Sequence, residues 1–184
     1  MSKLIYKASI NHTEKTVREL YKTQYFCFDK TRLISRYIAG FILILISVTL
    51  QFSFILKGIF LLVGAWLVST PDFPSQVRAD KNLDARKNPL PVMSYEFYDD
   101  KIKLSGEGAC DITYDKIKIL IQDTKYFYLF ISKNSACMID KSTLENLDGF
   151  MNFIEEKTKT KWRVQKSFFS MNFQDLIREF KKKK

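Results

Sequence analysis

One histidine, three cysteines, six glycines and four prolines are all that the 184 residues hold of those types, and each scarcity removes a class of chemistry. His12 is alone, with no cysteine or acid pair beside it, so it cannot assemble a metal centre by itself. It reads as the neighbour of a helix cap. No second histidine exists to serve a separate triad, and no serine stands in a Gly-x-Ser-x-Gly context. Cys27, Cys110 and Cys137 are odd in number, widely spaced and without a Cys-x-x-Cys pair, which predicts reduced, buried thiols and neither a disulfide framework nor a zinc site. Gly106 and Gly108 flank Glu107 with no helix or Lys-Ser/Thr after them, so they predict a tight hairpin and no phosphate loop. Asp99 and Asp100 are adjacent on a turn, where their side chains diverge. The first thirty residues contain no apolar core and no small-residue cleavage site, so no removable secretory signal is expected. A non-enzymatic protein follows, with no catalytic residues, no cofactor and no metal.

Charge is missing from one stretch above all. Between Arg36 and Asp72 the only charged side chain is Lys57, and the composition turns polar at both borders. Thirty-five residues in one helix would run roughly 50 Å, well past a hydrocarbon core of about 30 Å. Gln51 and Ser53 are the most polar pair near the middle, and a turn there leaves about 18 residues on either side, enough for two passes. A turn at Lys57 and Gly58 would leave only about 13 for the second. A buried hairpin of a soluble core is the rival reading, but core helices rarely lack a charged face. Tyr37, Lys57 and Trp66 suit interfacial depths and are the expected membrane anchors, Lys57 by lifting its ammonium while its stem remains in lipid.

Net charge is +10, unevenly placed. Residues 1–37 carry eight Lys or Arg against three acids, and Arg78, Lys81, Arg86 and Lys87 follow the apolar stretch. Positive residues near a span remain inside, so the expected location is the cytoplasmic membrane, multi-pass, with both termini cytoplasmic. Residues 93–156 hold seven Lys or Arg against twelve acids, and residues 157–184 ten against two. That split favours an anionic lipid surface over nucleic acid.

Taken in order, the chain predicts five parts: an N-terminal strand and helix over 1–32, a transmembrane helical hairpin over 33–71, a juxtamembrane linker over 72–91, a strand-rich domain with a covering helix over 92–161, and a basic amphipathic tail over 162–184. Lys3 to Ile10 alternates as a short strand, and Asn11 opens Asn-His-Thr-Glu, a helix-capping pattern. Prolines bracket the charged linker at both ends and mark a boundary at Asn88 to Pro91. From Val92 to Asp140 the period is two: Met93, Tyr95 and Phe97 share a face, Ile102 and Leu104 follow, then Cys110, Ile112 and Tyr114, then Ile117, Ile119 and Ile121 as a half-buried strand. Tyr126 to Ser132 is apolar on both faces and should be central, paired with Ala136 to Ile139 across a tip at Lys133 and Asn134. Its aromatics lack interleaved cations, so they read as core and not as a base-stacking platform. Ser142 opens Ser-Thr-Leu-Glu, a second capping pattern, ahead of a helix on Leu144, Leu147, Phe150, Met151 and Ile154. Trp162, Phe168 and Phe169 pack back on the domain or dip to the interface. Finally Phe173, Leu176, Ile177 and Phe180 form an apolar stripe ending in Lys181, Lys182, Lys183 and Lys184. With Arg178, those lysines are the candidates for a lipid surface, the equal alternative being a helix docked on its own domain with a frayed charged tail.

Residues 92–144, with an initial Tyr-Glu-Phe strand, the run DITYDKIKIL and the run YFYLFISKNSACMIDKSTL, resemble the YcxB-like family of bacterial membrane proteins. The resemblance implies an α+β chain: a two-span transmembrane hairpin with a cytoplasmic, pleckstrin-homology-like antiparallel sheet closed by a C-terminal helix. It implies no assigned chemistry, and the residues after Trp162 exceed the family pattern.

The expected function is a membrane-anchored binding protein acting at the cytoplasmic face through a membrane-protein partner or self-association. A self-protection (immunity-type) factor or a transporter accessory subunit fits by analogy. The alternative is an anionic-lipid-binding surface module. The bilayer is a partner in both, and nucleic acid in neither.

Overall fold

Residues 92–104 fold with the alternation their sequence carries, Met93, Tyr95, Phe97, Ile102 and Leu104 all being buried. The computed structural model describes residues 3–86 and 89–164, an α+β arrangement with five α-helices and two mainly antiparallel sheets among them. They fall into two units, one built from the N-terminal strand and the segment after Pro91, the other running from His12 to Leu90.

In the first unit, β1 (Leu4–Asn11), β2 (Val92–Tyr98), β3 (Lys101–Ser105) and β4 (Asp111–Thr113) form an antiparallel sheet in the order β1-β2-β3-β4. The first strand thus joins the late sheet and not the helix that follows it in sequence, with Ala8 opposite Tyr95 and Ile10 opposite Met93. Asp99 and Asp100 turn β2 into β3, and Asp99 pairs with Lys157. Gly106 and Gly108 take φ of +125° and +78° in the β3–β4 connection, which only glycine adopts without strain. A Cβ at Gly106 would also stand 2.7 Å from the Val92 carbonyl oxygen.

The second sheet has the order β7-β6-β5-β8, from β5 (Ile119–Gln122), β6 (Tyr126–Ser132), β7 (Ser135–Asp140) and β8 (Trp162–Val164). β6 is interior, as its two apolar faces require, and it turns into β7 at Lys133 and Asn134. Two expectations are corrected here. The strand predicted from Ile117 is shorter and buried on both faces: Leu120 and Ile121 point to opposite faces and are both buried while Ile119 is only partly covered, so both faces of the sheet are covered at that point. Ser142 does not cap a helix. Asp140 accepts from the Ser142 amide in a single 3-10 turn, and α5 (Leu147–Thr158) starts later, with the Asn146 side chain accepting from Gly149 N–H at 2.9 Å. Trp162 packs back on the domain: β8 runs parallel to β5, and the indole donates to the Met151 carbonyl at 3.1 Å.

The core of this unit centres on Phe150, whose ring meets Tyr6 and Phe97 edge-on and Phe127 at a tilt, with centroids 5.0–5.5 Å away. Rings from both sheets and from α5 therefore share one cluster.

The second unit is helical: α1 (Glu14–Phe28), α2 (Lys30–Thr49), α3 (Phe54–Ser69) and α4 (Phe73–Asp84). α1 is capped by Thr13 and not by Asn11, which ends β1. Thr13 accepts from Thr16 N–H, and Thr16 Oγ1 accepts from Thr13 N–H at 2.8 Å. Threonine at the third helical position closes the reciprocal pair that glutamate would usually close. α2 breaks at Leu50 to Ser53, where Gln51 and Ser53 interrupt the apolar run, and Lys57 with Gly58 lies inside α3. The proline-flanked linker holds α4, with Pro74 in its first turn, where a missing N–H does no harm.

Candidate functional site

Among the described residues, α2 and α3 carry the least water-compatible surface. α2 is long and apolar enough to cross a membrane. α3, of 16 residues, meets α4 at a bend of 69°. Only 17% of the apolar window of α2 is buried, so most of it has no cover from the described residues. Phe41, Leu45 and Val48 project from α2, and Phe54, Ile55 and Leu62 from α3, with Phe54 91% exposed.

Two glycines decide how the pair packs. A Cβ at Gly64 would lie 2.8 Å from the Gly40 carbonyl oxygen, and one at Gly40 would lie 2.9 Å from the Gly64 carbonyl oxygen. The backbones touch there because neither residue has a side chain. Four hydroxyls of the pair are satisfied locally: Ser47 donates to Ile44 O, Thr49 to Leu45 O, Ser69 to Ala65 O and Thr70 to Trp66 O, at 2.7–2.8 Å. Hydroxyls closed onto their own helix need no water.

A polar collar closes the open end of the pair. Arg36 donates from Nη2 to the Thr70 carbonyl at 3.1 Å, and its guanidinium lies 5.4 Å from the centre of the Trp66 ring. Phe73 meets Trp66 edge-on at 5.2 Å where the chain turns into α4. Ion pairs join α1 to α4: Arg18 to Asp80 at 3.0 Å, Lys22 to Asp72 at 3.8 Å, and Asp29, at the α1–α2 junction, to Arg78 at 2.9 Å. Asp29 is buried, so removing Arg78 would leave a poorly compensated buried charge and should cost more than removing a partner of the exposed pairs.

At the start of α1, His12 faces Thr16 Oγ1 at 3.4 Å. Burial, and secondarily the Arg86 guanidinium, hold the imidazole below its ordinary value. A histidine whose folded pKa is depressed takes up its proton less readily folded than unfolded, so stability falls as pH drops through the ordinary histidine value near 6.5 towards the lower folded one. The melting temperature is therefore expected to decline between about pH 7.5 and pH 5, and the His12→Gln variant to decline less over that interval. Parallel slopes in the two proteins would remove His12 from the account.

The strand unit offers structure and little chemistry. Lys141 donates to Gln122 Oε1 at 2.9 Å and to the Asp123 carbonyl at 2.5 Å, with its ammonium 4.5 Å over the Phe127 ring. Burial lowers its pKa, and its partners make it a pin across β5, β6 and the end of β7. Asp123 accepts from the amides of Lys125 and Tyr126 and from the Tyr128 hydroxyl, which fixes the β5–β6 turn. Burial pushes the Cys137 thiol up to about 12, leaving it an inert apolar side chain. Against the expectation of buried thiols, Cys110 is exposed and Cys27 partly so, and none of the three cysteines is in a disulfide. On the solvent side of the first sheet, Lys7 pairs with Glu96 and Lys101 with Asp111. Among the described residues no group of three or more His, Cys, Asp or Glu could hold a metal ion.

The expected anchor residues are distributed as follows. Trp66 is 44% exposed at the collar, Lys57 is half-buried one turn from the helix break, and Tyr37 is buried within the helical unit and not presented outward. Arg178 and Lys181 to Lys184 lie outside the described residues. Arg36, which organises the collar, was not singled out by sequence reasoning. Its position as the last cation before the apolar run was the available signal.

No curated protein and no solved structure matches the chain. Residues 97–154, which run from β2 through most of α5, match the family model described as YcxB-like protein, and this part of the strand unit is accordingly YcxB-like.

Proposed function

We propose that the chain is a two-pass membrane protein without enzymatic activity, anchored by α2 and α3, whose YcxB-like strand unit binds a protein partner at the cytoplasmic face. The observation that carries the anchoring is the exposure of large apolar side chains along both helices together with hydroxyls closed onto their own backbone. Water would penalise that surface at about 25 cal/mol per Å². The two sheets closed by α5 are read as pleckstrin-homology-like, a form suited to binding. Membrane-protein association, as in a self-protection factor or a transporter accessory subunit, is the expected use.

Topology is tested in native membranes with single cysteines in a cysteine-free background. Gln51→Cys should react with an impermeant maleimide from outside, while the native Cys110 reacts only after permeabilisation. Labelling of both positions from one side, or extraction of the protein by alkaline carbonate, would overturn the two-pass reading. The partner is tested by purification in mild detergent, where a membrane protein should remain at fixed stoichiometry. A chain that stays monomeric and alone from native membranes would refute partner binding.

The charge of residues 157–184 supports a second reading, an anionic-lipid surface built on Arg178 and Lys181 to Lys184. Removing residues 171–184 should then weaken vesicle binding in a salt-dependent way. Unchanged binding would dispose of it.

A further inference from the structure

The apolar column has two fixed ends. At its base Arg36 is held by the Thr70 carbonyl and by the Trp66 face, so its guanidinium is not free to reach along the helix for water. On the α3 side the column stops at Ser69, where the chain bends by 69° into α4, a helix carrying Arg78, Asp80 and Lys81. At the far end both helices stop at Leu50 to Ser53. Over its full Lys30–Thr49 length α2 would cross an ordinary membrane, but Arg32 and the pinned Arg36 leave it Tyr37 to Thr49 on the uncharged side, and α3 contributes Phe54 to Ser69, which at 1.5 Å per residue is roughly 20–24 Å of height. Ordinary hydrocarbon cores are about 27–33 Å thick.

A protein partner would cover one stripe of this column. The exposed residues Phe54, Ile55, Ile59, Leu61, Leu62, Val63 and Trp66 instead sweep about half the circumference of α3 at about 100° per residue. Surface of that breadth, with a cation at Arg32 on the base side, where phosphates would lie, fits acyl chains. The geometry points to a helix pair matched to a hydrocarbon layer of roughly 20–24 Å, so that its lipid partner is one with short acyl chains or a bilayer thinned around it. This rests on the two-pass reading above and adds the thickness to it.

The test reconstitutes the full chain into vesicles of phosphatidylcholine with a fixed share of phosphatidylglycerol, over monounsaturated chains of about 14 to about 22 carbons. The thermal midpoint, and the inserted fraction measured by flotation after an alkaline wash, should be highest at the short end, with the inserted fraction falling at least twofold towards the long end. A second protein, with seven apolar residues added to each helix between Thr49 and Phe54 on its own side of the break, gains about 10 Å and should move its optimum to longer chains. A flat profile, an optimum at the long end, or an optimum that does not move with added length would overturn the match while leaving two-pass insertion intact. Failure to float with any vesicle overturns the two-pass reading, and the thickness with it.

Discussion

Gly64→Ala is expected to lower the stability of the helical unit by about 1–3 kcal/mol, the range for forcing a methyl group into a filled contact, whereas Gly58→Ala should leave it unchanged or raise it by up to about 1 kcal/mol. Both are glycines of α3, and both changes improve helix propensity, so the contrast isolates the neighbours. A Cβ at Gly64 meets the Gly40 carbonyl oxygen at 2.8 Å and Ile44 Cγ1 at 2.8 Å, and one at Gly58 meets nothing within 4 Å. The isoleucine can turn aside, but the carbonyl belongs to the opposing backbone and cannot move without parting the helices. Gly40→Ala should behave like Gly64→Ala, since its Cβ would stand 2.9 Å from the Gly64 carbonyl. The two together should cost less than their sum, because once the helices have separated to admit one methyl group the second finds room. Thermal unfolding in mild detergent, followed by helical circular dichroism, reads all four variants. Equal melting of Gly58→Ala and Gly64→Ala would mean that α2 and α3 do not meet at these glycines.

The contact also shows where sequence reading succeeded and where it stopped. Gln51 and Ser53 marked the break because polar residues are costly inside a long apolar run unless the chain turns there, and the helices do end there. With the break fixed, Gly40 and Gly64 stand equally far from Phe52 along the chain, and an antiparallel pair must bring such positions opposite. The closeness of the two backbones was not legible, since it depends on side chains that are absent. Helix starts were misplaced for a different reason. Asn11 and Ser142 fit the capping pattern locally, but the pairing of Asn11 with Val92 and the Asp140 side chain on the Ser142 amide used those residues first. Tertiary pairing also hid β8: three residues, parallel to a strand forty-two positions earlier, carry no period of their own. The alternation of β2 and β3, by contrast, was legible because each strand sets one face on the core. For the site, Trp66 and Lys57 were visible as exceptions within the apolar run, while Arg36 acquires its role only from the carbonyl and ring brought to it by the turn of the chain.

Phe150→Ala is expected to cost about 3–5 kcal/mol, the range for truncating a fully buried aromatic ring, and so to take away much of the roughly 5–15 kcal/mol that holds a domain folded. Phe150 has no exposed surface. Its ring touches Tyr6 of β1, Phe97 of β2 and Phe127 of β6, so one truncation opens the contact among both sheets and α5 at once. Phe127, one of those partners, is backed by Trp162, which is tied to the Met151 carbonyl and to Glu155, and this limits how far that side of the cluster can close over the space. At roughly 4–8 °C per kcal/mol for a unit of this size, the midpoint should fall by more than 10 °C, and Phe150→Leu, which refills most of the volume, should recover the greater part of it. Trp162 supplies the signal. Its ring lies 4.7 Å from Phe127, and with Trp66 replaced by phenylalanine it is the only tryptophan left in the chain, so its emission reports this core alone. A fall of less than about 1 kcal/mol in Phe150→Ala would show that the two sheets stay folded without the ring, and the strand unit would then have two separate cores in place of the single cluster around Phe150.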